Sequence, residues 1–291
     1  MSTSTVIAEG LHFGEGPRWR GDRLWFSDFF DHAVKTCTPD GTVETIFTID
    51  GRTSGLGWLP DGDLLAVSML DQSVLRWRPG SEPVLYASLT GLATFHCNDM
   101  VVDAAGRAYV GNFGFDLDTW IDESGFGDAF KNAPSTTLAR VDPDGSAHVA
   151  ADDLRFPNGI VITPDGATMI VAETMAARLT AFDIAADGSL SNRRVWADLG
   201  RRIPDGICLD AGGRVWVANP QAHECFLVAE GGEIVDIVET TENCFACMLG
   251  GDDGRTLFLV TSRYSHHREA AEHRTGRIET IRVDTPGAGR P

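Results

Sequence analysis

Apolar and polar residues alternate along short stretches of this chain, as in Arg107-Ala108-Tyr109-Val110 and Arg214-Val215-Trp216-Val217. A period of two puts successive side chains on opposite faces of a strand, whereas a helix needs apolar residues at i, i+3, i+4 and i+7 across a window of roughly 11 to 18 residues, a pattern not found here. The pattern predicts an all-β chain and argues against a helical solenoid.

The strands recur as a unit. Segments starting at Gly16, Leu56, Asp99, Asn158, Asp205 and Met248 each read as a short lead, a glycine-containing turn and an alternating apolar strand, the signature of a β-hairpin. Their turn glycines, Gly21, Gly62, Gly106, Gly166, Gly213 and Gly254, are 41, 44, 60, 47 and 41 residues apart. A period of forty-odd residues fits four strands per propeller blade. Second turn signals between the hairpins (Pro39-Asp40-Gly41, Pro79-Gly80, Pro143-Asp144-Gly145, Asp187-Gly188, Gly231-Gly232) supply the outer strands. The expectation is one six-bladed β-propeller domain over residues 1–291 with a central metal site. Its ring closes by pairing residues near 6–8 with residues 277–283, which hides the edges an open array would leave. The 60-residue interval holds an insertion at 113–135, rich in Asp, Gly and aromatics, that is expected to form a lid or substrate wall.

Composition narrows the partners. The chain has 291 residues, 43% of them hydrophobic, and a net charge of −18, a field that repels phosphate backbones and anionic lipid head groups. Neither nucleic acid nor membrane is expected, and a small molecule is. The first ten residues show no basic stretch leading into an apolar one, and no run of about 18 apolar residues occurs, which predicts a cytoplasmic protein, monomeric or homodimeric. Six cysteines are read as reduced thiols, and the single Cys244-x-x-Cys247 lacks the second pair a structural zinc site needs.

In a propeller, equivalent positions at the starts of the inner strands point toward one axis. Counting back about six to eight places from each turn glycine gives Glu15, Ser54, Asn98, Asn158, Asp205 and Ala246. Glu15, Asn98, Asn158 and Asp205 offer two carboxylates and two amide oxygens, hard ligands for Ca²⁺, with Mg²⁺ or Mn²⁺ as alternatives. An ion with only two anionic ligands keeps net positive charge, so it polarises a carbonyl and acidifies a bound water. Asn158-Gly159 and Asp205-Gly206 are also ordinary turn formers. Both, however, follow a proline and precede a strand, and Gly16-Pro17 follows Glu15 in the corresponding place.

The stretches Gly14-Glu15-Gly16-Pro17-Arg18-Trp19, Asn98-Asp99 with Val102-Asp103 and Gly106-Arg107, Phe156-Pro157-Asn158-Gly159-Ile160, and Ile203-Pro204-Asp205-Gly206-Ile207 resemble the senescence marker protein/gluconolactonase family. That family includes regucalcin-like proteins and is similar in site layout to diisopropyl fluorophosphatase. The resemblance implies a six-bladed propeller that opens sugar lactones with one divalent metal, often calcium, with Zn²⁺, Mn²⁺ or Mg²⁺ in some members. It implies Glu15, Asn158 and Asp205 as metal ligands, Asn98 as a fourth group touching metal or substrate, and Asp205 as candidate general base. A carboxylate held by a divalent ion is a weaker base, so a metal-activated water or direct attack by Asp205 stands beside that role.

The chain departs from the pattern two residues before Asn98, where sugar lactonases often carry an arginine to bind substrate hydroxyls. Here the residue is His96, flanked by Phe95 and Cys97, and His96 becomes a candidate substrate-binding and catalytic residue. His266, His267 and His273 fall in a loop at 265–275 to which no role is given, and Trp19, Trp25, Trp58 and Trp216 read as blade packing. The sequence therefore predicts a metal-dependent lactone or ester hydrolase. Phosphotriester or fluorophosphate hydrolysis and a non-catalytic calcium-binding propeller are the competing readings.

Overall fold

A computed structural model describes residues 2–291. It consists of six β-sheets arranged as propeller blades. The innermost strands are Gly14–Arg20, Thr53–Trp58, Cys97–Val102, Pro157–Ile162, Ile207–Leu209 and Asn243–Gly250, in blades one to six. Each inner strand packs beside the next, and the sixth packs against the first, so the array is a closed ring.

The closing blade joins the two ends of the chain. Thr5–Leu11 is the outermost strand of the sixth blade and runs antiparallel to Gly276–Arg282, with Thr5 opposite Thr280 and Glu9 opposite Arg277. Ser2–Thr3 then adds in parallel to the outer edge of the fifth blade, at Ile234–Glu239. The residues expected to close the ring do so.

All six turn glycines have positive φ, as at Gly62 (95°) and Gly213 (76°), which is the left-handed region a tight hairpin turn asks of its glycine. Between blades the core is apolar and aromatic. Trp25 meets Trp58 edge-on at 5.5 Å and Trp19 stacks on Phe258 at 5.2 Å, so these tryptophans pack blades together as expected. The six cysteines are all buried and unpaired.

Helices were not expected, yet three occur: α1 (Leu117–Ser124) and α2 (Phe126–Asn132) inside the 113–135 insertion, and α3 (His267–Glu272) in the last blade. Each is eight residues or fewer, too short to show a helical period in a longer window. The start of α1 is nonetheless written locally, because Asp116 caps it by accepting from the Thr119 amide. The insertion has a small core of its own, in which buried Phe115, Ala129 and Ala133 meet Phe156 and Met175 of the fourth blade.

Candidate metal centre and substrate cavity

The inner strands begin irregularly. The register shifts between Glu15 and Arg18, Thr53 and Leu56, Cys97 and Met100, Pro157 and Ile160, and Cys244 and Ala246. Such bulges re-aim a side chain without ending the strand, and here they lie beside the residues picked out by spacing. The glycines that follow are not turn formers. A Cβ on Gly159 would meet the Ile207 nitrogen at 2.6 Å, and one on Gly55 the Met100 nitrogen at 2.3 Å, so missing side chains let neighbouring inner strands close up on the axis.

Glu15, Asn98, Asn158 and Asp205 are all buried around one cavity at the mouth of the channel. A hydrogen-bonded chain links three of them across blades two to five. Ser54 Oγ donates to Asn98 Oδ1 (3.2 Å), Asn98 Nδ2 to Asn158 Oδ1 (2.9 Å), and Asn158 Nδ2 to Asp205 Oδ1 (2.5 Å) and Thr174 Oγ1 (3.2 Å). Each amide oxygen has accepted one hydrogen bond and keeps a second lone pair. Glu15 Oε2 accepts from the Gly16 amide at 3.0 Å. Ser54 thus orients a ligand candidate, while Ala246 offers no donor atom in the sixth blade.

The electrostatics of this cluster call for a cation. Burial pushes the Glu15 carboxyl well above its usual range, and the negative charges of Asp205 and Asp99 push it further. Burial raises Asp205 as well, against the lowering effect of Asn158. The nearest guanidinium is already engaged, since Arg18 Nη2 donates to Asp99 Oδ1 and to the Met100 carbonyl, both at 2.6 Å. Among the described residues no lysine, arginine or histidine forms an ion pair with Glu15 or Asp205. Two buried carboxylates without a counter-charge are unfavourable alone and fit a divalent ion, with Asn98 and Asn158 as neutral oxygen donors.

Above the cluster lies a cavity of about 270 Å³, the size of a small-molecule site. Its walls follow a register that repeats from blade to blade. Two residues before five of the six inward-facing positions stand Phe13, Arg52, His96, Phe156 and Ile203, and all five line the cavity; in the sixth blade Cys244 does not, and Phe245 does. A step of two returns to the same strand face, so the sequence carried this signal, but counting only the positions facing the axis missed Arg52 and the phenylalanines. The insertion adds Leu117, Asp118 and Ile121 from α1 to the wall.

His96 is half-buried against Phe95, with ring centroids 4.0 Å apart. Burial and the charge of Arg52 lower its pKa, against the raising effect of Asp116 and Asp118, which favours the neutral ring. Cys97 points elsewhere: it is fully buried and its thiol is pushed up to about 12 by burial, far from a nucleophile's range. The last-blade loop does reach the mouth, since His266 lines the cavity. His267 Nδ1 lies 3.0 Å from Asp118 Oδ2 and His266 Nε2 lies 3.2 Å from Asp122 Oδ1, which ties α1 of the third-blade insertion to the opposite, sixth blade. The ligating atoms of Asp118, His266 and His267 lie within 4.8 Å of one another, a grouping separate from the central cluster.

Comparison with known proteins agrees with this architecture. A model of the SMP-30/Gluconolactonase/LRE-like region matches residues 13–263. Regucalcin from Bos taurus is 26% identical over 267 residues, covering 89% of this chain and 86% of that protein. The 6-deoxy-6-sulfogluconolactonase of Pseudomonas putida is 25% identical over 295 residues, covering 98% and 96%. Among solved structures, a luciferin-regenerating enzyme superposes with a TM-score of 0.82 at 17% identity, covering 99% of this chain and 98% of that one, a likeness of fold. No helix among the described residues is long and apolar enough to cross a membrane.

Proposed function

This chain belongs to the SMP-30/gluconolactonase/LRE-like family, and from that membership we propose that it is a hydrolase that opens a small lactone at the mouth of its propeller channel. The observation that carries the reading is the pair of buried, uncompensated carboxylates, Glu15 and Asp205, joined with Asn98 and Asn158 on the floor of a small-molecule cavity. Relatives named as lactonases, including one for 6-deoxy-6-sulfogluconolactone, support the reaction class.

Glu15, Asn98, Asn158 and Asp205 would hold one divalent cation, and their hard oxygens favour calcium. When bound, such an ion polarises the lactone carbonyl and lowers the pKa of a water. Asn158 fixes the Asp205 carboxylate by donating to Oδ1, leaving its other oxygen for the ion or a proton. Two side chains of this chain are suited to move the proton that ring opening requires. Asp205 is one, weakened as a base by any cation it holds. His96 is the other, its neutral form favoured by burial and by Arg52.

The 113–135 insertion acts as a lid in this reading. Its helix α1 meets the sixth blade through His266 and His267, so a ligand in the cavity is shielded from water when those contacts are made.

The test is hydrolysis of γ- and δ-lactones by metal-stripped protein and by protein with Ca²⁺, Mn²⁺, Mg²⁺ or Zn²⁺ restored. Metal-restored turnover that disappears in Asp205→Asn is the expected result. Metal binding without turnover of any lactone would overturn the reading, and a faster reaction on phosphotriesters would replace it.

A further inference from the structure

The cavity above the candidate metal centre is lined in a way that selects among lactones. Eight of the chain's 15 phenylalanines face it. They form connected faces rather than scattered contacts: Phe13 packs on Phe29 at 5.3 Å and on Phe245 at 4.7 Å, and Phe113 lies 4.3 Å from Phe156. Met69, Met175 and Ile203 fill between them. These residues come from five of the six blades and from the insertion, so no single loop movement would remove the apolar wall.

Besides the four cluster residues, eight polar side chains line the cavity, and several of them already have partners. Both Asp116 carboxylate oxygens are taken by Thr119. Asp118 is paired with His267, and Thr174 accepts from Asn158. Gln221 and Ser265 sit at the exposed rim. His266 faces Asp122, but its buried Nε2 makes no hydrogen bond, and Arg52 and His96 likewise make no side-chain hydrogen bond to another described residue. Arg52 has no carboxylate at ion-pair distance, although the charge of Asp118 acts on it. The Arg52 guanidinium lies over the Phe30 ring at 4.6 Å, half-buried in the wall and next to His96. A half-buried guanidinium with no carboxylate in direct contact is a ready partner for a substrate carboxylate.

Resting on the lactonase reading above, we propose that the substrate is a lactone carrying an aryl or similarly bulky apolar substituent together with an anionic group, the apolar part lying on the phenylalanine wall and the anion pairing with Arg52. A polyhydroxylated sugar lactone fits this cavity poorly. A hydroxyl turned toward the phenylalanine faces would give up water without gaining a partner, and that is costly. An apolar pocket discriminates by roughly 10- to 200-fold for a single methylene, so a whole aryl ring is expected to matter at least as much.

The experiment compares three substrates on calcium-loaded protein: gluconolactone, γ-phenyl-γ-butyrolactone and γ-(carboxyphenyl)-γ-butyrolactone. It is repeated on Arg52→Gln, and binding of the non-hydrolysable lactam of the carboxyphenyl compound is measured by calorimetry. The expected order of kcat/KM is carboxyphenyl above phenyl above gluconolactone, with at least ~100-fold between the first and last. Arg52→Gln is expected to cost the carboxyphenyl substrate ten-fold or more and the phenyl substrate clearly less. Gluconolactone turned over as fast as the aryl lactones would overturn the inference and leave the lactonase reading standing. An equal loss on both aryl substrates in Arg52→Gln would overturn the anionic half. If no lactone is hydrolysed but the lactam binds in an Arg52-dependent way, the ligand class stands and the reaction class falls; no turnover and no binding overturns both.

Discussion

Arg18 donates to Asp99 across 2.6 Å of buried space beneath the candidate metal centre, binding an inner-strand residue of the first blade to one of the third. The same guanidinium reaches the carbonyls of Pro17, Leu56 and Met100, so one side chain spans three adjacent inner strands. Both partners stand next to the cation-seeking cluster, yet their charges cancel each other rather than those of Glu15 and Asp205.

Breaking that pair is therefore expected to be severe. Arg18→Met leaves Asp99 as an uncompensated buried charge beside Glu15 and should lower stability by about 3–5 kcal/mol. Arg18→Met with Asp99→Asn should recover a large part of the loss. Urea unfolding of the two single variants and the double variant measures the coupling, and additive losses would contradict it.

The metal-free protein should become less stable as pH rises. Glu15 and Asp205 have ordinary values of 4.5 and 3.8, and burial raises both in the folded state. Between those values and the raised ones the folded form holds more protons than the unfolded chain, so stability is full at the acidic end and falls as pH climbs toward the folded values. Thermal melts in chelator from pH 4 upward should show this decline. Added calcium should flatten it, as should Glu15→Gln.

A separate pH effect belongs to His96. Its pKa lies below the usual 6.5, because burial and then Arg52 disfavour the charged ring. Activity that needs the neutral ring should rise through an acidic limb below that value and stay level above it. His96→Asn is expected to reduce kcat/KM by roughly 100-fold and to abolish the limb. A limb that survives the substitution assigns the proton transfer to Asp205.

The contacts between α1 and the last blade should act on KM more than on kcat. Asp118→Asn with Asp122→Asn removes two histidine–aspartate pairs and the Arg268–Asp122 pair, each worth about 1 kcal/mol or less. Hydrogen exchange should speed up across Leu117–Ser124 while the blades keep their protection. Unchanged exchange there would deny the pairs a role in holding the helix.

Much of this molecule could be read from its sequence. The turn glycines set the number of blades, and counting back from them reached Glu15, Asn98, Asn158 and Asp205, because a closed ring turns one-dimensional spacing into convergence on an axis. Arg52 and the phenylalanine wall were missed for the same reason: position along a strand is periodic, but which side chain lacks a partner depends on what the other blades bring. No role for His266 is legible in the sequence, because its distance from Asp122 along the chain conceals that third and sixth blades face each other across the mouth. The short helices were invisible because one or two turns leave too few residues for a period to show.

The closing strand also has a consequence for how the chain is made. Ser4 hydrogen-bonds Glu279, a partner 275 residues away, and the strand it leads into completes the sixth blade. At a ribosomal pace of roughly 5–20 residues per second, that early segment waits many seconds for its mate. During that time the growing sheets expose an unsealed edge, and Glu15 has no complete ring to sit in. Competence to gather an ion should thus arrive late and all at once, when the last strand is released.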